Sequence, residues 1–83
     1  MSDSIIIWKY LTRAYPDSHQ AIYQYCNSIS NRKIAIDILI NDVKKVFGSA
    51  ITESYIRQTV IGFLANKKKE YMLGNITITP IYR

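Results

Sequence analysis

The chain has 83 residues, which is enough for one small domain with a single core and too few for two domains. Hydrophobic residues make up 48% of the sequence and occur along its whole length, so the composition is not that of a disordered or low-complexity chain. Eleven lysines and arginines against six carboxylates give a formal net charge of +5, which favours a polyanionic partner such as nucleic acid or an acidic protein surface.

The sequence contains no pattern typical of a membrane protein, a metalloprotein or an enzyme. The run SIIIW at 4–8 is far shorter than the ~18 residues of a membrane span. One cysteine, Cys26, and one histidine, His19, cannot build a closed zinc site. Asp37 and Asp42 are the closest carboxylates on a helix and fall on different sides of it, so no general acid–base pair is evident. We therefore expect a non-enzymatic protein without metal or cofactor.

Two further expectations concern the setting of the protein. A single cysteine cannot form an internal disulfide, which fits an unexported protein of the reducing cytoplasm that does not act at a membrane. Fifteen isoleucines and seven tyrosines against three glycines are the usage that AT-rich codons produce, so we expect a low-GC genome, a virus or a mobile element as the source.

The first two segments are predicted from the spacing of their apolar residues. In the first segment these residues lie three and four positions apart: Ile7, Tyr10, Leu11 and Ala14. This spacing predicts a helix over 5–15, whereas the run Ile-Ile-Ile-Trp has the β preference of a strand, and both remain open. A second, supporting helix is predicted over 19–30, with Asp17 or Ser18 as its cap. Its buried positions are expected at Ile22, Tyr25, Cys26 and Ile29.

The strongest helical period belongs to the third segment. Its apolar residues share one face: Ile36, Leu39, Ile40, Val43, Val46 and Phe47. We expect this helix over 37–47, with Asp37 as its cap after a short extended piece at 33–36. Gly48 is placed where a residue with positive φ ends a helix.

A fourth helix and a β-hairpin are predicted after that. The helix is expected over 52–68, with Thr52 as its cap. Its buried positions are Ile56, Val60, Phe63, Leu64 and the stem of Lys67. After Lys69 the apolar residues alternate with polar ones, as in a β-strand. Gly74 with the asparagine after it is a favoured pair for a type II′ turn. The sequence therefore predicts a hairpin that pairs 69–73 with 76–80.

Two helices joined by a turn and followed by a hairpin resemble the winged helix-turn-helix family. The resemblance is carried by DILINDVKKVFG as the first helix, SAIT as the turn, ESYIRQTVIGFLANKKK as the recognition helix and EYMLGNITITPIYR as the wing. The fold expected from it is mainly α with a small C-terminal β-hairpin. It would be a single winged-helix domain over 1–83, with a three-helix core, the additional segment at 5–15 and the wing at 69–82.

The resemblance implies that the recognition helix enters the major groove of double-stranded DNA while the wing contacts the backbone or minor groove. The residues then expected to contact DNA are Ser54, Tyr55, Arg57, Gln58, Ile61, Gly62, Lys67, Lys68, Lys69, Asn75 and Thr77. Among them, Gln58 fits an adenine edge, Arg57 fits a guanine edge, and the three lysines fit phosphates whatever sequence is bound. We therefore expect sequence-preferring DNA binding by a small transcriptional regulator.

A homodimer is also expected, because one such domain reads few base pairs and Trp8 with Ile5 or Ile6 exceeds what one core face can cover. Two other kinds of partner stay open. Ile61 and Tyr55 would suit an acidic protein partner of an inhibitor or interaction module, and the basic surface would also suit RNA or the ribosome.

Overall fold

The structure is a computed structural model of the chain and describes residues 3–77. Over that range the chain forms four α-helices and a short 3₁₀ turn: α1 at Asp3–Ala14, α2 at Gln20–Asn27, α3 at Ile29–Phe47, the 3₁₀ turn at Gly48–Ala50 and α4 at Glu53–Met72. The first segment, for which the spacing predicted a helix and a strand was left open, is thus a helix. None of the described helices combines the length and the apolar character needed to cross a membrane.

The core is built around α4, which contacts each of the other three helices. The largest fully buried side chains come from all four helices: Ile7, Leu11, Ile22, Leu39, Val43, Ile56, Val60, Phe63 and Leu64. Burying such side chains supplies most of the free energy that holds a small domain together. The apolar face predicted for the fourth helix is therefore confirmed.

α1 lies beside α4 and runs in the same direction. Near the start of both helices the Ser4 amide donates to the Tyr55 hydroxyl at 3.1 Å. Further along, the rings of Trp8 and Phe63 meet edge to face, with 5.3 Å between their centroids. Since these contacts occur in the same order along the two helices, α1 and α4 are parallel.

One carboxylate connects α1 to α3. The hydroxyls of Tyr10 and Tyr15 both donate to Asp42 Oδ2, at 2.8 and 2.6 Å. The Tyr10 ring also meets the Phe47 ring edge to face at 5.9 Å. Burial, together with the hydrogen bond and the negative charge of Asp42, raises the pKa of Tyr15 far above its usual range, and the pKa of Tyr10 shifts in the same direction. The network thus favours neutral tyrosines.

We expect this network to make the protein less stable in alkaline solution. Because the folded state raises the pKa of Tyr15, its contribution is complete below about pH 10, the ordinary tyrosine value, and is lost as the pH rises further. Tyr15→Phe should therefore flatten the decline in the free energy of unfolding. This decline is measured by urea unfolding, monitored by circular dichroism, between about pH 8 and pH 11. Lysine titration affects the unmodified protein and Tyr15→Phe alike. Identical declines in the two would therefore contradict a raised pKa of Tyr15 in the folded state.

The caps of α2 and α3 differ from those predicted. His19, rather than Asp17 or Ser18, caps α2, because its Nδ1 accepts the Ala21 amide hydrogen at 3.0 Å. Ser28 is extended, which ends α2 at Asn27 and leaves its hydroxyl free to cap α3 by accepting the Asn31 amide hydrogen at 3.2 Å.

This earlier cap corrects the predicted start of the third helix. Residues 33–36 are helical rather than extended, and Asp37 lies inside α3 instead of capping it. Ala35 is fully buried and continues the inward stripe, whereas Ile29 and Val46, both predicted to be buried, are exposed at the two ends of the helix. The predicted ends at Gly48, with φ of 63°, and the cap at Thr52 are confirmed.

The predicted β-hairpin is wrong. Residues 69–72, assigned to its first strand, continue α4 as far as Met72, and no strand occurs within residues 3–77. Gly74, with φ of 78°, ends the helix: its amide donates to the Tyr71 carbonyl at 3.1 Å, and the Asn75 amide donates to the Glu70 carbonyl at 2.9 Å. These two bonds are the Schellman motif that satisfies the last carbonyls of a helix.

Gly74 is therefore compatible with two structures, since a type II′ turn and a helix end both need a residue with positive φ. In this chain the helix gains the side-chain bond from Asn66 to Glu70 at 2.7 Å, and Ile76 packs against the core after the turn. The fold class is thus corrected from winged helix to an all-helical fold over the described residues. The remainder of the predicted second strand, 78–80, lies outside them.

Two glycine substitutions should change stability in opposite directions. Gly74→Ala places a Cβ in the left-handed region and should lower the free energy of unfolding by about 1 kcal/mol. Gly62→Ala lies inside α4, where its Cβ would sit 3.9 Å from Trp8 Cζ3, an ordinary contact, and should raise it by about 0.5–1 kcal/mol. Thermal and urea unfolding measure both. A neutral Gly74→Ala would contradict the helix-ending role.

Candidate nucleic-acid interface

α4 is buried along one side and exposed along the opposite side. Its buried residues are Ile56, Thr59, Val60, Phe63 and Leu64. Its exposed stripe, here called the outer face of α4, consists of Ser54, Gln58, Ile61, Gly62, Ala65, Lys69 and Met72. Because successive residues turn by about 100° around a helix, these positions line up on one side from the first turn to the last. Arg57 and Lys68 lie at the border of this face.

The outer face carries no carboxylate, and both carboxylates of α4 have partners elsewhere on the helix or on α3. Glu53 contacts Lys44 of α3 at 2.7 Å and Arg57 at 3.9 Å. The hydrogen bond and charge of Lys44 lower the pKa of Glu53, so this carboxylate stays ionised. Glu70 accepts a hydrogen bond from Asn66. An anion that approaches the outer face therefore meets no negative side chain on it.

The three consecutive lysines, which the sequence placed together on phosphates, point in different directions. The Lys67 side chain is only 14% exposed: its Nζ lies 2.8 Å from Asp17 Oδ1 and 5.5 Å from the centre of the Phe63 ring. Lys68 is half-buried and close enough to Cys26 to oppose the rise that burial causes in the pKa of that thiol. Lys69 alone of the three lies on the outer face.

The other predicted contact residues divide into two groups. Ser54, Gln58, Ile61 and Gly62 are brought together on the outer face, with exposed Arg57 beside them. Tyr55 is half-buried and its hydroxyl accepts the Ser4 amide hydrogen, so it supports α1 rather than the outer face. Asn75 and Thr77 follow the end of α4 and belong to no wing.

Trp8 is a border residue that the sequence analysis did not assign to the interface. Its ring packs on Phe63 and reaches Gly62, so the indole forms the α1 edge of the outer face. Ile5 and Ile6, grouped with it as a dimer contact, remain exposed on α1. The signal in the sequence was the glycine itself, because a position without a side chain lets a large ring of a neighbouring helix approach.

The excess positive charge is distributed over three helices. Among residues 3–77, six basic side chains make no ion pair or hydrogen bond: Lys9, Arg13, Lys33, Lys45, Lys68 and Lys69. Two of them lie on α1, two on α3 and two on α4. Only the last two adjoin the outer face, so the positive charge is spread over the domain and is not concentrated at α4.

The described residues offer no metal site, since no three His, Cys, Asp or Glu side chains among them are grouped to hold an ion. No family model, curated protein or solved structure matches this chain. Functional interpretation therefore rests on the chain's own residues and their geometry, in which the outer face of α4 is exposed from the first turn of that helix to the last.

Two single lysine substitutions should separate a structural lysine from an exposed one. Lys67→Ala removes a partly buried ion pair and the stem packed on Phe63, and should lower the free energy of unfolding by about 1 kcal/mol. Lys69→Ala should change it by less than ~0.5 kcal/mol. Urea unfolding of both variants measures the difference. Equal losses would contradict the different positions of the two side chains.

Proposed function

We propose that the protein binds double-stranded DNA with the outer face of α4 in the major groove. The observation that carries the proposal is the composition of this face: apart from Ile61 and Met72 its residues are small or hydrogen-bonding, and carboxylates are absent. The major groove admits an α-helix, and close approach to base edges needs short side chains such as Gly62 and Ala65. Because three helices hold the opposite side of α4, this face is presented on a rigid support.

The start of α4 suits the contact as well. Thr52 caps the helix by accepting the Tyr55 amide hydrogen at 3.3 Å, and the first turn is exposed at Glu53 and Ser54. Exposed amides and the helix dipole favour an anion at such an end, although Glu53 is held there by Lys44. In this arrangement α3, the turn and α4 follow one another as in a helix-turn-helix unit, in which residues near the start of the second helix contact bases.

Individual roles follow from side-chain chemistry. Gln58 carries a donor and an acceptor that match an adenine edge, and Ser54 can bond a base or a phosphate. Lys69, near the other end of the helix, supplies a charge for the backbone. Arg57 shares Glu53 with Lys44, so a guanine contact would require its guanidinium to leave that carboxylate. Lys67 is excluded from the set because Asp17 already holds its ammonium.

The test compares two lysines of equal charge on different surfaces. Lys69→Ala should weaken binding to random duplex DNA and lower the slope of log K against log salt by about one. Lys45→Ala removes the same charge from the exposed side of α3 and should leave that slope nearly unchanged. Fluorescence anisotropy with labelled duplex, single-stranded DNA and structured RNA, each at several salt concentrations, measures both variants.

Base readout is tested separately by Gln58→Ala. With a duplex selected from a random library, this variant should lose about 1–3 kcal/mol of discrimination between the selected and random sequences. Its affinity for random duplex should hardly change. The proposal is wrong if duplex binding is absent at low salt, or if Lys69→Ala and Lys45→Ala have the same effect. Tighter binding to structured RNA than to duplex would assign the face to RNA instead.

A second candidate, a protein partner, is favoured by apolar side chains on the same face. Ile61 is 40% exposed in the middle of the face, and Met72 is 72% exposed at its end. Tyr55, the other predicted anchor, contacts α1 instead, so Trp8 at the α1 edge of the face is the aromatic residue available to such a partner. Failure to bind any of the three nucleic acids would leave this candidate in place of the first.

A further inference from the structure

The side of α3 that faces away from the core carries two large apolar side chains. Ile34 and Ile38 are 49% and 42% exposed, and they lie one helical turn apart on the same side. The inward side of the helix is taken by Ala35, Leu39 and Val43, all fully buried. These two isoleucines therefore form an apolar strip that the fold itself does not use.

Two opposite charges border this strip. Lys33 and Asp37 each precede one of the isoleucines and are likewise one turn apart. Both are exposed, and neither makes an ion pair or a hydrogen bond within residues 3–77. The outer side of α3 is defined by Lys33, Ile34, Asp37 and Ile38. Along it, a basic residue and an isoleucine are followed one turn later by an acidic residue and an isoleucine.

The outer side of α3 is complementary to the same side of a second copy that runs in the opposite direction. If a second α3 runs antiparallel, with the two-fold axis between residues 35 and 36, Ile34 lies opposite Ile38 of the second copy and Lys33 lies close to Asp37 of the second copy. A two-fold axis makes every such contact occur twice. A parallel arrangement would instead place the charged edge of each helix against the isoleucine edge of the other, which leaves Lys33 and Asp37 without partners of opposite charge.

We propose that the outer side of α3 binds a second copy of this chain, in an antiparallel homodimer. The exposed isoleucines of α1 are less suited to this. The charges on their side of that helix are Lys9 and Arg13, while Asp3 lies one turn before the buried Ile7, so two copies would repel each other. The surface is separate from the outer face of α4, so dimer formation does not depend on nucleic-acid binding.

The test exchanges the charges at Lys33 and Asp37 and measures the dimer dissociation constant by sedimentation equilibrium, without nucleic acid. Because one helix from each copy makes a small interface, we expect a weak dimer and measurements up to about 1 mM protein. Lys33→Asp and Asp37→Lys, made singly, each bring like charges together twice and should raise the dimer dissociation constant by about tenfold or more. The double variant Lys33→Asp with Asp37→Lys restores opposite charges and should recover most of the affinity.

Two serine substitutions of equally exposed isoleucines provide the control. Ile38→Ser should weaken the dimer, whereas Ile61→Ser, on the outer face of α4 and 40% exposed against 42%, should not. Circular dichroism melting confirms that each variant is folded. The proposal is overturned if the unmodified protein stays monomeric at the highest concentration, if the exchanged charges fail to restore association, or if Ile61→Ser weakens the dimer as much as Ile38→Ser.

Discussion

The burial of one side of α4 is the constraint on which the other features of the protein depend. Ile56, Val60, Phe63 and Leu64 are fully buried because α1, α2 and α3 all contact this helix. In a domain of this size one continuous core supplies most of the stability, so these side chains fix the rotation of α4 about its own axis. The outer face is what remains, and its position relative to α1 and α3 is set by the same packing.

Polar contacts attach the short connection between α1 and α2 to both long helices. Tyr15 bonds Asp42 of α3, and Asp17 bonds Lys67 of α4. The Tyr15 ring also meets the ring of His19, the α2 cap, at 4.8 Å. The entry into α2 is thus held from two sides, which limits how far α1 can move from α4. Rigid support of this kind favours recognition without rearrangement of the backbone.

Local signals in the sequence were sufficient for the ends at Gly48 and Thr52 and for the buried side of α4. They failed at Gly74, since positive φ suits a hairpin turn and a helix end equally, and the choice depends on packing around the end of α4. Helical phase placed Ser54, Gln58, Gly62, Ala65 and Lys69 on the outer face, but it also placed Tyr55 there, and it missed Met72 because the helix was expected to end at residue 68. The ion pair of Lys67 could not be predicted in this way. Its partner Asp17 lies 50 positions away in the chain, and no helical or strand period relates the two residues.

Gly62 also gives the protein an optical property. Because this position lacks a side chain, the only indole of the chain, that of Trp8, rests on α4 at the edge of the outer face while staying 36% exposed. Tryptophan emission shifts in wavelength and intensity when water around the ring is displaced or a base stacks nearby. A molecule bound at this face would therefore change the tryptophan fluorescence of the unlabelled protein, independently of the tyrosines that hold the fold together.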